Sequence, residues 1–107
     1  MSVLTRLWCL LCAHALTDYV LQTDRMAALK HPKATAAPAY GPWWWWLLAH
    51  GLINALGVLY VTQNVGLSIL ECVVHCWLDY SKGRGWLTTT QDQGGHLLSK
   101  VAWAWLA

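Results

Sequence analysis

The chain is expected to fold as an all-α bundle of four hydrophobic, transmembrane helices, and three observations lead there. Hydrophobic residues fill 57% of the 107 positions and charged residues only 11%, well under the roughly one quarter usual in soluble domains. From Ala34 to Leu70 there is no Lys, Arg, Asp or Glu, the pattern of a stretch that crosses a membrane. Inside these apolar segments polar residues recur four apart: His14, Asp18 and Gln22; His50 and Asn54; Glu71, His75 and Asp79; Asp92, His96 and Lys100. At about 3.6 residues per turn, each row shares one stripe of a helix.

A chain of this length makes one domain, with helices expected at about 3–29, 43–62, 67–80 and 91–106 and a loop at 30–42. The first segment, Val3 to Gln22, is long enough to reach across a bilayer, since roughly 20 residues rising about 1.5 Å each cover about 30 Å. A secretory leader is the rival reading, because Arg6, an apolar run and Ala13-His14-Ala15 resemble a cleavage site. Helix continues to about Leu29. Beyond it Lys30, His31, Lys33 and the prolines Pro32, Pro38 and Pro42 mark the connection, with Asp24, Arg25 and His31 expected on a solvated face.

The second segment opens on Trp43-Trp44-Trp45-Trp46, four rings around one turn, which suits an anchor at the membrane boundary. Gly51 and Gly57 would let another helix approach closely. Segments three and four are short for a full span, and Trp103 and Trp105 are expected to form a second aromatic belt. If all four cross, Arg25, Lys30, Lys33, Lys82 and Arg84 fall on one side, and the connection from Val61 to Gly66 carries no charge. By the positive-inside rule the charged side is cytoplasmic. That places the chain as a multi-pass membrane protein, with the lipid bilayer as its surroundings.

The net charge of +2 and the lack of a basic stripe exclude a nucleic-acid partner. Cys9, Cys12, Cys72 and Cys76 read as small buried hydrophobes rather than a disulfide framework. Cys72 and Cys76 flank His75, which leaves one of them open as an extra metal ligand.

Depth ties the polar rows together. Counted at about 1.5 Å per residue from the cytoplasmic ends, Asp18 lies about 6 Å in, His14 about 12 Å, His50 about 10 Å, His75 about 8 Å and His96 about 6 Å. Asp79 and Asp92 fall at the rim of the same layer. Ionisable residues in a membrane cost about 2.5–3.5 kcal/mol each on insertion scales, so several in one layer argue for partners and for function. Imidazole and carboxylate are ligands of a divalent metal, zinc foremost, and helix-borne His-x-x-x-Asp pairs set two of them at chelating distance. The expected ligands are His14, Asp18, His75, Asp79 and His96. His50 and Asp92 are expected as ligands or as partners that orient them, and Gln22, Asn54 and Gln93 as hydrogen-bond donors. Lys100 either pairs with Glu71 or extends outward.

The segments His14-x-x-x-Asp18-Tyr19-x-Leu21-Gln22-Thr23-Asp24-x-Met26-Ala27, His75-x-x-x-Asp79-Tyr80-x-Lys82 and Asp92-Gln93-x-x-His96 resemble the signature of an uncharacterised family of bacterial and phage membrane proteins, domain-of-unknown-function family 3307. The resemblance implies several membrane helices and the same polar positions, and supplies no activity.

A metal held by three or four such ligands with an open position lowers the pKa of bound water toward 7. The expected function is therefore that of a metal-dependent hydrolase acting just under the cytoplasmic surface. The alternatives are a proton or metal-ion conductor, and a non-enzymatic protein whose polar rows match a membrane-protein partner or a second copy. A soluble His/Asp phosphohydrolase bundle is disfavoured, because the adjacent His-Asp pair of such enzymes is absent.

Overall fold

The computed structural model describes residues 1–32 and 40–107; Lys33 and Pro38 of the expected loop lie outside the described residues. Five α-helices and one π-helical turn make up the fold, with no strand among the described residues. They are α1 (Val3–Ala15), the π turn Leu16–Val20, α2 (Asp24–Leu29), α3 (Trp43–Thr62), α4 (Val65–Gly83) and α5 (Thr89–Leu106).

Local chemistry sets the ends. Ser2, Thr23, Asn64 and Thr88 each accept a backbone N–H of the following helix with the side-chain oxygen, and Thr88 with Gln91 closes a capping box. Between α3 and α4 the chain reverses through Gln63, in the left-handed region at φ 54°, and Asn64. These caps lengthen α4 to 19 residues and α5 to 18, beyond the 67–80 and 91–106 expected, so neither is too short to span.

The first segment departs from expectation. It is not one helix to residue 29: at Leu16 the pattern widens, Leu21 N–H donating to Leu16 O at 2.9 Å, and the chain breaks before Thr23 starts α2. Thr17 contributes to the widening, since its hydroxyl donates to the Ala13 carbonyl at 2.9 Å and competes within the ladder.

Packing is inverted. Among the described residues, buried polar or charged side chains outnumber buried hydrophobic ones, fifteen to nine. One end holds the apolar cluster Leu10, Val58, Leu67, Trp103 and Ala104; the other, where α1, α4 and the loops meet, holds the polar rows. Facing outward are apolar stripes four apart: Leu48, Leu52, Leu56 and Tyr60 on α3, and Ile69, Val73 and Trp77 on α4, with Leu98 and Trp105 on α5. Among the described residues only α3 is long and apolar enough to cross a membrane by length and composition; α1 and α2 are short, at 13 and 6 residues, and the inward polar rows lower the hydropathy of α4 and α5.

Trp103 does not join an aromatic belt; it is buried and donates to Glu71 Oε1 at 3.2 Å, whereas Trp105 is exposed. The cysteines are all free, Cys12 exposed and the others half-buried, so they are not core hydrophobes. The two helix-face glycines mark close approaches: a Cβ on Gly57 would meet Thr17 Cγ2 at 3.3 Å, and one on Gly51 would collide with Cys76 Sγ. Gly51→Leu should therefore separate α3 from α4, at a cost of about 1–3 kcal/mol for overpacking. A fall in the unfolding midpoint of the purified protein, larger than for Gly57→Ala, is the expected reading.

Candidate metal centre

Seven ionisable side chains from five elements converge, with Asp18 and Asp79 at their middle. Asp18 comes from the π turn, His14 from α1, His50 from α3, His75 and Asp79 from α4, Asp92 and His96 from α5; none is more than 5% exposed. The π turn is what inserts Asp18: widening the helix by one residue turns it toward α3 and α4, a common use of such bulges at functional sites.

Asp18 Oδ1 lies 2.8 Å from His50 Nε2 and 3.5 Å from His75 Nε2. Asp79 Oδ2 lies 3.4 Å from each of the same two nitrogens, and Asp79 Oδ1 is 3.2 Å from His96 Nε2. His96 Nε2 also stands 3.2 Å from Asp92 Oδ1. His14 Nε2 is 3.7 Å from Asp18 Oδ2. The rings crowd, with centroids 4.8 Å apart for His50 and His75 and 4.2 Å for His75 and His96.

These separations suit a metal better than a closed hydrogen-bond network. Ligands bonded at about 2.0–2.1 Å in a tetrahedron stand about 3.3–3.4 Å from one another; five of these seven separations fall at 3.2–3.5 Å, while His50–Asp18 at 2.8 Å and His96–Asp79 at 3.2 Å are hydrogen bonds. His75 Nε2, buried and aimed at both carboxylates, has no hydrogen-bond partner, and neither has Asp92 Oδ1. Buried polar atoms are normally satisfied, so these orphans fit donors that wait for a cation. Two three-residue sets, Asp18, His50, His75 and His75, Asp79, His96, each have ligand atoms within 4.8 Å of one another.

The residues expected at the edge divide. Gln93 reaches the centre, its Nε2 donating to Asp18 Oδ2 at 3.3 Å and Asp92 Oδ2 at 3.4 Å while its Oε1 accepts from Tyr19 at 2.8 Å. Asn54 does not: it accepts from Thr17 at 2.8 Å and donates to the His50 carbonyl, which steadies the turn carrying His50. Gln22 leaves the stripe, because the helix ends before it. His50 stands between the two carboxylates, deeper in the cluster than an orienting role requires. Asp79 and Asp92 are buried instead of lying at a rim.

Two residues were missed. Lys30, read as a loop charge, folds back from the end of α2 and donates to Asp79 Oδ2 at 2.7 Å. Its neighbour His31, held below its ordinary pKa by burial and by the Lys30 charge, packs against Gly83, where any Cβ would collide with the ring. Glu71, on the row but outside the expected ligand set, pairs with Lys100 beneath the cluster and places Oε2 3.8 Å from His75 Nδ1. Of the two options for Lys100, the Glu71 pair is the one formed; His75 Nδ1, at 3.8 Å, makes no hydrogen bond to Glu71.

The family described as "Protein of unknown function (DUF3307)" matches residues 6–103. The chain belongs to this family. No curated protein and no solved structure matches it. In this DUF3307 chain the matched span takes in every residue of the cluster.

Lys30 acts as the cation of the metal-free centre. Lys30→Met should destabilise the chelator-treated protein by about 3–5 kcal/mol, the cost of stranding one member of a buried pair. Added Zn2+ should restore the unfolding midpoint and bind more tightly than to the unaltered protein, as calorimetry would read.

Proposed function

We propose that this chain is a multi-pass protein of the bacterial inner membrane that holds divalent metal in its His/Asp centre and uses it as a hydrolase. The observation that carries the reading is the inverted packing. Charged and imidazole groups fill the interior, while leucines, valines and tryptophans stand on the outer faces of α3, α4 and α5, an arrangement stable where the solvent is lipid. Near the centre Arg84 lies over Tyr80 and Trp86, against which Trp43 and Trp77 pack, Arg25 lies over Tyr40, and Lys82 approaches Asp92. Basic and amphipathic aromatic residues favour the cytoplasmic head-group layer.

Hydrolysis is favoured by where the centre meets its surroundings. His14 and Asp18 retain 5% exposure each, and beside them Tyr19 is exposed and joined through Gln93 to Asp18 and Asp92. A polar ester or amide group arriving from the cytoplasmic side meets the centre there. Metal at this position would polarise the bond and lower the pKa of water; Gln93 and Tyr19 would hold the scissile group.

A conductor is the second reading, since the polar interior continues past His75 to Glu71, Lys100 and Ser99. The Glu71–Lys100 pair occupies that path and leaves no free carboxylate to pass a cation on, which favours a closed centre. The polar rows face one another, which leaves them little surface for a partner protein.

The protein should stay with the membrane fraction after carbonate washing and purify in detergent with bound transition metal, absent from His75→Ala. It should cleave a chromogenic phosphoester or amide only without chelator. A soluble protein overturns the membrane assignment, a metal-free one the centre, and metal without cleavage of any probe the hydrolase.

A further inference from the structure

Resting on the metal reading above, the geometry points to a centre for two ions, bridged by Asp79, and not for one. We infer this from how the donors divide. His75 belongs to both three-residue sets, yet a single ring nitrogen binds a single ion, so the sets must separate around something else. Asp79 is what separates them. Its Oδ2 faces His50 and His75, each 3.4 Å away, whereas its Oδ1 faces His96 at 3.2 Å.

The first ion would have four donors: Asp18 Oδ1, His50 Nε2, His75 Nε2 and Asp79 Oδ2. The second would have three: Asp79 Oδ1, His96 Nε2 and Asp92 Oδ1. Each half contains one of the orphaned atoms, His75 Nε2 in the first and Asp92 Oδ1 in the second. The far oxygen of Asp92 is already engaged, by Gln93 Nε2 at 3.4 Å and by Lys82 Nζ at 4.0 Å, which turns Oδ1 toward His96. A carboxylate bridging two ions sets them about 3.5–4 Å apart, as in two-metal hydrolytic sites. Lys30, now on Asp79 Oδ2, gives way when the first ion enters.

Donor number and charge agree with two ions. Four imidazoles and three carboxylates are more than one tetrahedral ion uses, and three carboxylates offset most of the charge of two dications. The four-donor half is closed, as structural sites are. The three-donor half keeps an open position, on the side of His14 and Gln93, and is the half that would meet a substrate.

The test is metal stoichiometry of the detergent-purified full chain reconstituted with Mn2+ and freed of excess, read by elemental analysis and by electron paramagnetic resonance. Two equivalents with an exchange-coupled spectrum are expected, falling to one equivalent with an isolated-ion spectrum in Asp92→Asn. One equivalent in the unaltered protein overturns the two-ion centre and leaves the metal reading standing. Zero equivalents removes both. Two uncoupled ions, or two retained in Asp92→Asn, place the second ion elsewhere and overturn the bridge by Asp79. Should Asp92→Asn fail to fold, the coupling in the unaltered protein decides alone.

Discussion

The structure depends on the cost of keeping imidazole and carboxylate out of water. Three aspartates, four histidines, Glu71, Lys30 and Lys100 are all buried, and each isolated charge would destabilise the fold by several kcal/mol. No helix can hold its polar row alone; each row is tolerable only because the others face it. The bundle is organised by mutual satisfaction of polar groups, with the apolar cluster around Leu10, Val58 and Trp103 closing the opposite end.

From that constraint follow the irregularities. The π turn at Leu16–Val20 gives up ideal helix geometry so that Asp18 reaches His50 and His75. The short helix α2 turns back so that Lys30 can neutralise Asp79. Glycine appears where helices must come close: Gly51 against Cys76, Gly57 against Thr17, Gly83 against His31. Close backbones bring side chains as short as aspartate within reach of one another.

The centre and the bundle are therefore one problem in electrostatics. Cations bound among the carboxylates would stabilise the folded state by mass action, and Lys30 supplies part of that stabilisation when none is present. Beneath them Glu71 and Lys100 neutralise each other, so the charge of the upper cluster does not extend down the bundle. The division into a polar end and an apolar end also matches the charged loops on one side and the uncharged Gln63–Asn64 turn on the other.

Helix class and the polar rows were readable from composition and four-residue spacing, because on a helix that spacing fixes which residues share a face; the division of the first segment into α1, the π turn and α2 was not. Membership of the family could be seen in the motifs around His14, His75 and Asp92. Helix ends were less legible: caps at Asn64 and Thr88 lengthen α4 and α5 beyond the apolar runs. The sequence could not reveal that Gln22 leaves the stripe, that Lys30 returns from the loop, or that His50 stands between two aspartates. A π turn, a reversal and the rotation of one helix against its neighbours are decided by contacts between segments distant along the chain. The residues and their faces are local properties; which atoms meet, and that Asp79 turns one oxygen to each set of imidazoles, only the packed bundle decides.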